Sequence, residues 1–150
     1  MGNQVLNNTI YNYGQTGLVL PNSKNGVFKN NIFMGAAQSQ VQVEAQSVTN
    51  TGNVFANNDY FKSGTSLIGV WNTTSTYPAA NLTLSGWNSN SGETGDISAD
   101  RLFVSASTGD FHLQSSSLAK DAGTTVATVT TDYEGTRACL QSIATAPWPR

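Results

Sequence analysis

The stretch VFKNNIF, residues 27–33, places two adjacent asparagines between apolar residues. Strands disfavour asparagine in their interior, so the pair indicates a turn between two short strands. Adjacent asparagines recur in VLNNTIY at 5–11 and in VFANNDY at 54–60, and aligning Val5 with Val27 and Val54 gives intervals of 22 and 27 residues. This recurrence is an internal repeat, and the repeat decides the fold class.

Short apolar runs recur between the asparagine pairs. They are LVL at 18–20, VQV at 41–43 and IGV at 68–70, with intervals of 23 and 27 residues. Each period therefore holds three short strands and one asparagine corner. A unit of this size cannot bury its apolar side alone, whereas stacked units can. We predict an all-β chain in which the repeats stack as coils.

The paired asparagines are predicted to be structural corner residues. Asparagine tolerates the left-handed backbone conformation and can bond its own main chain, which suits a sharp corner. Stacked coils lie about 4.8 Å apart, so equivalent asparagine side chains would hydrogen-bond in a ladder. The residues assigned to corners are Asn7, Asn8, Asn30, Asn31, Asn57 and Asn58. In the middle copy we expect Val27 and Ile32 to face the core.

Charge and composition restrict the partners. The 150 residues carry a formal net charge of −2, and only 11% of them are charged. Without a basic stripe we expect no nucleic-acid partner, and no apolar run approaches the roughly 20 residues of a membrane span. A single cysteine, Cys139, and a single histidine, His112, argue against an intrachain disulfide and a multi-histidine metal centre. The chain shows no signal peptide, which leaves its cellular compartment unassigned.

Two phrases in the C-terminal half bring the pattern close to a known family. GDISADRLFVSASTGDFHLQSSSLAKDAG spans 95–123, and TDYEGTR spans 131–137. Together with the repeat, they resemble the right-handed parallel β-helix repeat family of pectate-lyase-like proteins, although Arg101, Leu118 and Lys120 depart from its usual wording. The resemblance implies a right-handed parallel β-helix with three short strands per coil and about four to five coils over residues 1–137. An irregular tail would follow at 138–150.

The N-terminal end of the chain falls inside a coil. We therefore expect the N-terminal coils and cap of a longer solenoid to be lacking, and the resemblance implies a bacterial, often exported, parent. An uncapped coil exposes apolar core and unpaired strand edges, here around Val5 and Ile10. The simplest closed arrangement for such an end is self-association, and we expect a homodimer.

The segment NTTSTYPAANLTLSGWNSNSGET, residues 72–94, is rich in Asn, Ser and Thr. Its one apolar alternation lies at NLTLSGW. We expect a long excursion from the stack, with a strand near Leu82 and Leu84 that still belongs to it.

The candidate binding surface is the outer side of the LVL, VQV and IGV strands. Enzymes of the family resembled use such a face as a groove for an acidic polysaccharide, with acids on calcium and Arg or Lys as base. Glu44 and Trp71 would be neighbours on adjacent coils, which suits a sugar stacked on the indole, and Tyr77 and Trp87 would extend the surface. Alternatively, Trp71 is covered by the excursion and Glu44 is simply solvated. The face carries no base, so no catalytic residue and no metal ligand is assigned.

The acidic residues of the C-terminal half are mainly Asp96, Asp100, Asp110, Asp121 and Asp132. Paired carboxylates can act as general acid and base, and several can hold calcium. Their turn-like surroundings favour instead hydrogen bonds from the turn backbone to the Asp side chains. His112 alternates with Phe111 and Leu113 and is expected at the surface.

Two classes of function remain open. The first is a non-catalytic β-helix segment with a structural or carbohydrate-associated role, because the groove face lacks a base and the acids fall in turns. The second is a fragment or remnant of a polysaccharide lyase or hydrolase whose catalytic coils lie upstream. No cofactor is expected in the first class, and calcium is expected only in the second.

Overall fold

The computed structural model describes residues 2–44, 50–74 and 78–135. In these ranges the chain is mostly β-structure, with twelve strands, one α-helix and one 3₁₀ helix. The first nine strands form three repeats: β1 (Gln4–Leu6), β2 (Thr9–Tyr11) and β3 (Thr16–Leu20), then β4 (Val27–Lys29), β5 (Ile32–Met34) and β6 (Ser39–Glu44), then β7 (Val54–Ala56), β8 (Asp59–Phe61) and β9 (Leu67–Thr73).

Equivalent strands of the three repeats pair in parallel, which gives three sheets in the orders β1-β4-β7, β2-β5-β8 and β3-β6-β9. The parallel sheets expected from the repeat are therefore confirmed. The predicted alignment is wrong by one residue in the first sheet, where Val5 lies beside Phe28 and Gln4 beside Val27. The asparagine pairs set this register, because Asn8 and Asn31 hydrogen-bond across an interval of 23 residues.

The alignment of IGV with VQV is also displaced by one residue, since Val41 pairs with Gly69. Gly69 leaves room for an indole: a Cβ at this position would lie 3.0 Å from the Trp87 ring and 3.0 Å from a Val41 methyl group. A larger residue there would push the ring away, so the packing of Trp87 and the register of β9 depend on each other.

The core between the three sheets is built from stacked aromatic rings. Phe28 and Phe55 stack with their centroids 4.9 Å apart, and Phe33 and Tyr60 stack at 5.5 Å. The expectation that Val27 and Ile32 face this core is wrong. Val27 is half-buried, and Ile32 is buried in a second cluster on the outer side of its sheet. Side chains alternate along a strand, so the aromatic residues at the next positions point inward instead.

The end of the stack beyond the third repeat is covered by a helix. Strand β10 (Leu82–Thr83) pairs with the edge of β9, and α1 (Leu84–Ser91) follows directly. Trp87 projects from α1 onto Phe55, with ring centroids 5.5 Å apart. The expected strand near Leu82 and Leu84 is therefore only partly correct, since β10 is antiparallel and Leu84 begins a helix.

A fourth corner follows the helix. Thr94 and Ile97 form isolated parallel bridges with Ala56 and Asp59, which continues the first two sheets by one level. Gly95 lies between them with a φ of 76°, close to the 53° of Asn57 below it. In the described ranges the stack thus has three full repeats and a partial fourth level, fewer than the four to five coils expected.

The C-terminal part packs against the outer side of the β2-β5-β8 sheet. Strands β11 (Phe103–Ser105) and β12 (Asp110–Leu113) form an antiparallel hairpin around a 3₁₀ turn, rather than a further coil. Phe103 and Leu113 pack with Ile32 in the second cluster. The side chains of Asn30 and Asn57 bind the segment after β12, by hydrogen bonds to the carbonyls of Thr124 and Ala122. One sheet face is therefore occupied by the protein's own chain.

No helix in the described ranges has the length and apolar character needed to cross a membrane.

Candidate functional site

The second asparagine of each pair forms a hydrogen-bonded ladder along the stack. The Asn8 backbone N–H donates to Asn31 Oδ1 over 3.0 Å, and the Asn31 N–H donates to Asn58 Oδ1 over 3.0 Å. The first asparagines, Asn7, Asn30 and Asn57, have φ values of 56°, 56° and 53°, the left-handed conformation of a corner. All six residues assigned to corners thus lie between consecutive strands, and Asn31 and Asn58 are fully buried.

Asp96 is the next rung of this ladder. The Asn58 backbone N–H donates to Asp96 Oδ1 over 3.1 Å, in the place that an asparagine side chain takes in the two levels before it. Burial, followed by the hydrogen bond and the negative charge of Glu93, raises the pKa of Asp96 to about 9. Asp96 is therefore neutral at physiological pH, and a neutral carboxylic acid has nearly the shape and polarity of the asparagine amide.

Glu93 lies beside Asp96 beneath the helix and is only 4% exposed. Its Oε2 accepts hydrogen bonds from the Trp87 indole N–H at 2.5 Å and from the Tyr60 hydroxyl at 3.1 Å. The Asn58 side-chain amide donates to Oε1. Three buried donors converge on one carboxylate, so Glu93 joins the helix to the last full repeat.

The Asp96 and Glu93 pair shares one feature with general-acid sites, because one carboxyl group is held protonated next to another. Buried groups of the protein, however, surround Glu93. Trp87 and Tyr60 are completely buried over Glu93, and the hydrogen-bonding capacity of its two oxygens is used by groups of the protein. A substrate would have to displace the helix to reach it.

An open cavity of about 490 Å³ lies beside the N-terminus of α1. Its lining is mostly hydroxyl-bearing, with one aromatic ring, and consists of Phe61, Thr65, Ser66, Thr83, Leu84, Ser85 and Ser98. Thr83 caps the helix, because its side chain accepts a hydrogen bond from the Gly86 N–H at 3.3 Å. Glu44, Trp71 and Trp87, the predicted sugar-binding residues that the structure describes, are not part of this lining.

The predicted sugar-binding residues within the described part of the chain do not form one surface. Glu44 pairs with Thr73 and accepts a hydrogen bond from the Gln42 side chain at 3.0 Å. Trp71 instead packs toward the core, 5.3 Å from the Trp87 ring, so it is not the neighbour of Glu44 that the alignment predicted. Trp87 is fully buried and offers no face to a sugar. The prediction for Tyr77 lies outside the described residues, as do those for Cys139 and the tail.

A buried ion pair joins the C-terminal part to the second sheet. The Arg101 guanidinium contacts the Asp59 carboxylate, and both side chains are fully buried. Burial lowers the pKa of Arg101 to about 9, so the group is still charged at neutral pH and depends on its carboxylate partner. One sequence feature pointed to Arg101, which departs from the usual wording of the family that the sequence resembles.

His112 lies at the surface between two carboxylates. Its Nδ1 is 2.6 Å from Asp110 Oδ1, and its Nε2 is 3.3 Å from Glu134 Oε1. The hydrogen bond with Asp110 is the main cause that raises the pKa of His112, and Glu134 adds to it. The imidazole is therefore held toward its charged form, which makes it a poorer general base.

Most of the other aspartates bond turn backbone. Asp100 Oδ1 accepts from the Leu102 N–H at 3.0 Å, and Asp132 Oδ1 accepts from the Glu134 N–H at 3.0 Å. These contacts agree with the turn role expected for the acids. Among the described residues, no three His, Cys, Asp or Glu side chains are grouped so that they could hold a metal ion.

Comparisons with known proteins give no match, either to a protein-family model or to a curated protein or solved structure.

Proposed function

We propose that this chain is a right-handed parallel β-helix module with a non-catalytic, structural role. The observation that carries the proposal is the use of the buried carboxyl groups. Asp96 continues the asparagine ladder, Glu93 holds the capping helix, and Asp59 holds the C-terminal part through Arg101. Burying a carboxyl group costs free energy, so we expect buried acids where their interactions have a specific role. Here that role is to join repeats, cap and C-terminal part into one unit.

The assignment as a right-handed β-helix rests on the geometry of the repeats. The repeats have the features expected of a β-helix. Each contains three strands, equivalent strands pair in parallel, and equivalent corner residues adopt the left-handed backbone conformation. Parallel strands are connected almost always with right-handed crossovers, which favours the right-handed form. The resemblance of the sequence to the pectate-lyase-like repeat family supports the same assignment.

The structural role is tested by assaying for the chemistry of the family resembled. The full chain is incubated with polygalacturonate and with alginate, with and without millimolar calcium. We expect no increase in ultraviolet absorbance from unsaturated products and no new reducing ends. Turnover of either polymer would overturn the structural role and favour the lyase or hydrolase alternative.

A second candidate function is the binding of an oligosaccharide in the cavity beside α1. Sugar sites combine hydroxyl partners with an apolar or aromatic floor, and this cavity has five hydroxyl-bearing residues around Phe61. Ser66 and Ser98 are exposed members of the lining, so they can be changed without disturbing the core.

Binding is tested on an array of neutral and acidic oligosaccharides with the wild-type chain, S66L, S98L and E44A. Binding that is lost in S66L and S98L but kept in E44A would support the cavity. Binding that is lost in E44A alone would move the site to the outer face of the third sheet. No binding to any glycan would leave the structural role only.

A further inference from the structure

We propose that Glu93 and Asp96 form a pH-sensitive latch, which holds helix α1 over the third repeat and releases it in alkaline solution. The two carboxyl groups lie between α1 and the Asn57–Asn58 corner, where Asp96 is half-buried and Glu93 is buried. A latch goes beyond the structural role proposed above, because it lets the cap open as well as hold. It needs no glycan in the cavity beside α1.

Helix α1 is held in place by few contacts. It has eight residues, and a helix of this length is not stable in water without tertiary packing. Its one buried side chain, Trp87, packs on Phe55 and Tyr60 with ring centroids 5.5 and 5.7 Å away, and the indole N–H donates to Glu93 Oε2 over 2.5 Å. The preceding strand β10 adds only two residues paired with β9. The position of the cap therefore depends strongly on Glu93.

The groups that face Asp96 carry no positive charge. They are the Glu93 carboxyl group, the backbone amides of Asn57 and Asn58, and, from β8, the Tyr60 hydroxyl group. Burial and Glu93 raise the pKa of Asp96 to about 9, and burial raises the pKa of Tyr60 well above its ordinary value of 10.0. Up to about pH 9, Tyr60 therefore keeps its proton while Asp96 begins to lose its own.

Ionisation of Asp96 acts on Glu93 rather than on the ladder. The ionised group can no longer donate a hydrogen bond to Glu93, and the two negative charges repel each other. Asp96 stays on the Asn58 N–H, which donates to it over 3.1 Å and bonds a charged acceptor more strongly. Glu93 directly follows Gly92, the left-handed residue that ends α1. When Glu93 turns toward water, the Trp87 indole N–H loses its acceptor and the cap is released.

The test is amide hydrogen exchange of the full chain at pH 6, 7.5 and 9, read by mass spectrometry and corrected for the intrinsic pH dependence of exchange. The closed cap holds a proton on Asp96 that the open cap gives up, so the open population rises with pH and levels off above about pH 9. Peptides from 82–95 should lose protection at least about tenfold between pH 6 and pH 9. Peptides from 4–34, in the first two repeats, should keep theirs.

D96N removes the titrating group but keeps an acceptor for the Asn58 N–H and a donor for Glu93, so the protection of 82–95 should no longer depend on pH. D100N is the matched control, because it removes an exposed carboxyl group that bonds the Leu102 N–H, and it should behave like the parent. A parent chain whose cap keeps its protection at pH 9 would overturn the latch. So would a loss that D96N leaves in place, or one that spreads equally over all repeats.

Discussion

Asn58 donates its backbone N–H to Asp96 over 3.1 Å, as Asn8 and Asn31 donate theirs to the asparagine one repeat later. An aspartic acid thus occupies a ladder position that asparagine fills elsewhere. Because the charged form of Asp96 is disfavoured by burial and by Glu93, the rung is best filled by a neutral group. The ladder should therefore be weakest where its rung can ionise.

The first prediction follows from the pKa of Asp96, which rises from 3.8 to about 9 in the folded chain. Between these pH values the folded state holds more protons than the unfolded state, so stability falls as pH rises. The substitution D96N keeps the rung neutral and removes this loss. We expect its free energy of unfolding to equal that of the parent near pH 4 and to exceed it by about 2 kcal/mol at pH 8, a figure reduced because Asp96 is partly exposed.

D96A separates the charge from the hydrogen bond. Both variants remove the carboxylate, but only asparagine keeps an acceptor for the Asn58 N–H. D96A should therefore be less stable than D96N at every pH by about 1 to 2 kcal/mol. Urea titrations between pH 4 and pH 9 measure both differences. Parallel stability curves for the parent and D96N would show that Asp96 is ionised in the folded chain.

The second prediction concerns the interior of the ladder. Asn31 is fully buried, and its side chain bonds Asn8, Val5 and Asn58. N31L leaves these groups without partners and should cost roughly 4 kcal/mol, or about 10 °C in melting temperature. N8L is the matched control, because Asn8 is exposed at the end of the ladder, and it should cost less than about 1 kcal/mol. Equal losses in the two variants would argue against a ladder that stabilises the stack.

The sequence predicted the ladder because adjacent asparagines are conspicuous and recur at nearly constant intervals. It did not predict the fourth rung, because Gly95 and Asp96 replace the asparagine pair after an interval of 38 residues. Both replacements are physically equivalent to what they replace: glycine takes the left-handed conformation, and a neutral aspartic acid takes the place of the amide. A search for identical residue types therefore does not detect this equivalence.

Helix α1 was missed for a different reason. It has eight residues and only one buried side chain, Trp87, so no apolar periodicity reveals it. Its ends are marked by Thr83, which caps the N-terminus, and by Gly92, whose φ is 69°. The structure departs from two of the expectations for the sugar surface for the same reason, because Trp87 is buried rather than exterior and Glu44 pairs with Thr73 rather than lying beside Trp71. Tertiary packing of the indole around Gly69 decided both outcomes.

The third prediction concerns the buried pair of Asp59 and Arg101. Removing one partner leaves the other charged and buried, so D59L and R101M should each cost about 3 to 5 kcal/mol. The double variant D59L/R101M replaces the pair with apolar side chains and should cost much less than the sum. A double-mutant cycle in urea is expected to give a coupling energy of at least ~2 kcal/mol. Additive losses would mean that the two side chains do not depend on each other.

The fourth prediction uses the single histidine of the chain, whose ring protons can be assigned without ambiguity in an NMR titration. The hydrogen bond with Asp110, with a contribution from Glu134, should place the pKa of His112 above its ordinary value of 6.5. D110N should lower it markedly, and E134Q should lower it less. Because the folded pKa is raised, the contact stabilises the fold below about pH 6.5 and the benefit is lost as pH rises through the folded pKa. A parent value at or below 6.5, or a pKa that D110N leaves unchanged, would show that the imidazole does not bond Asp110 in solution.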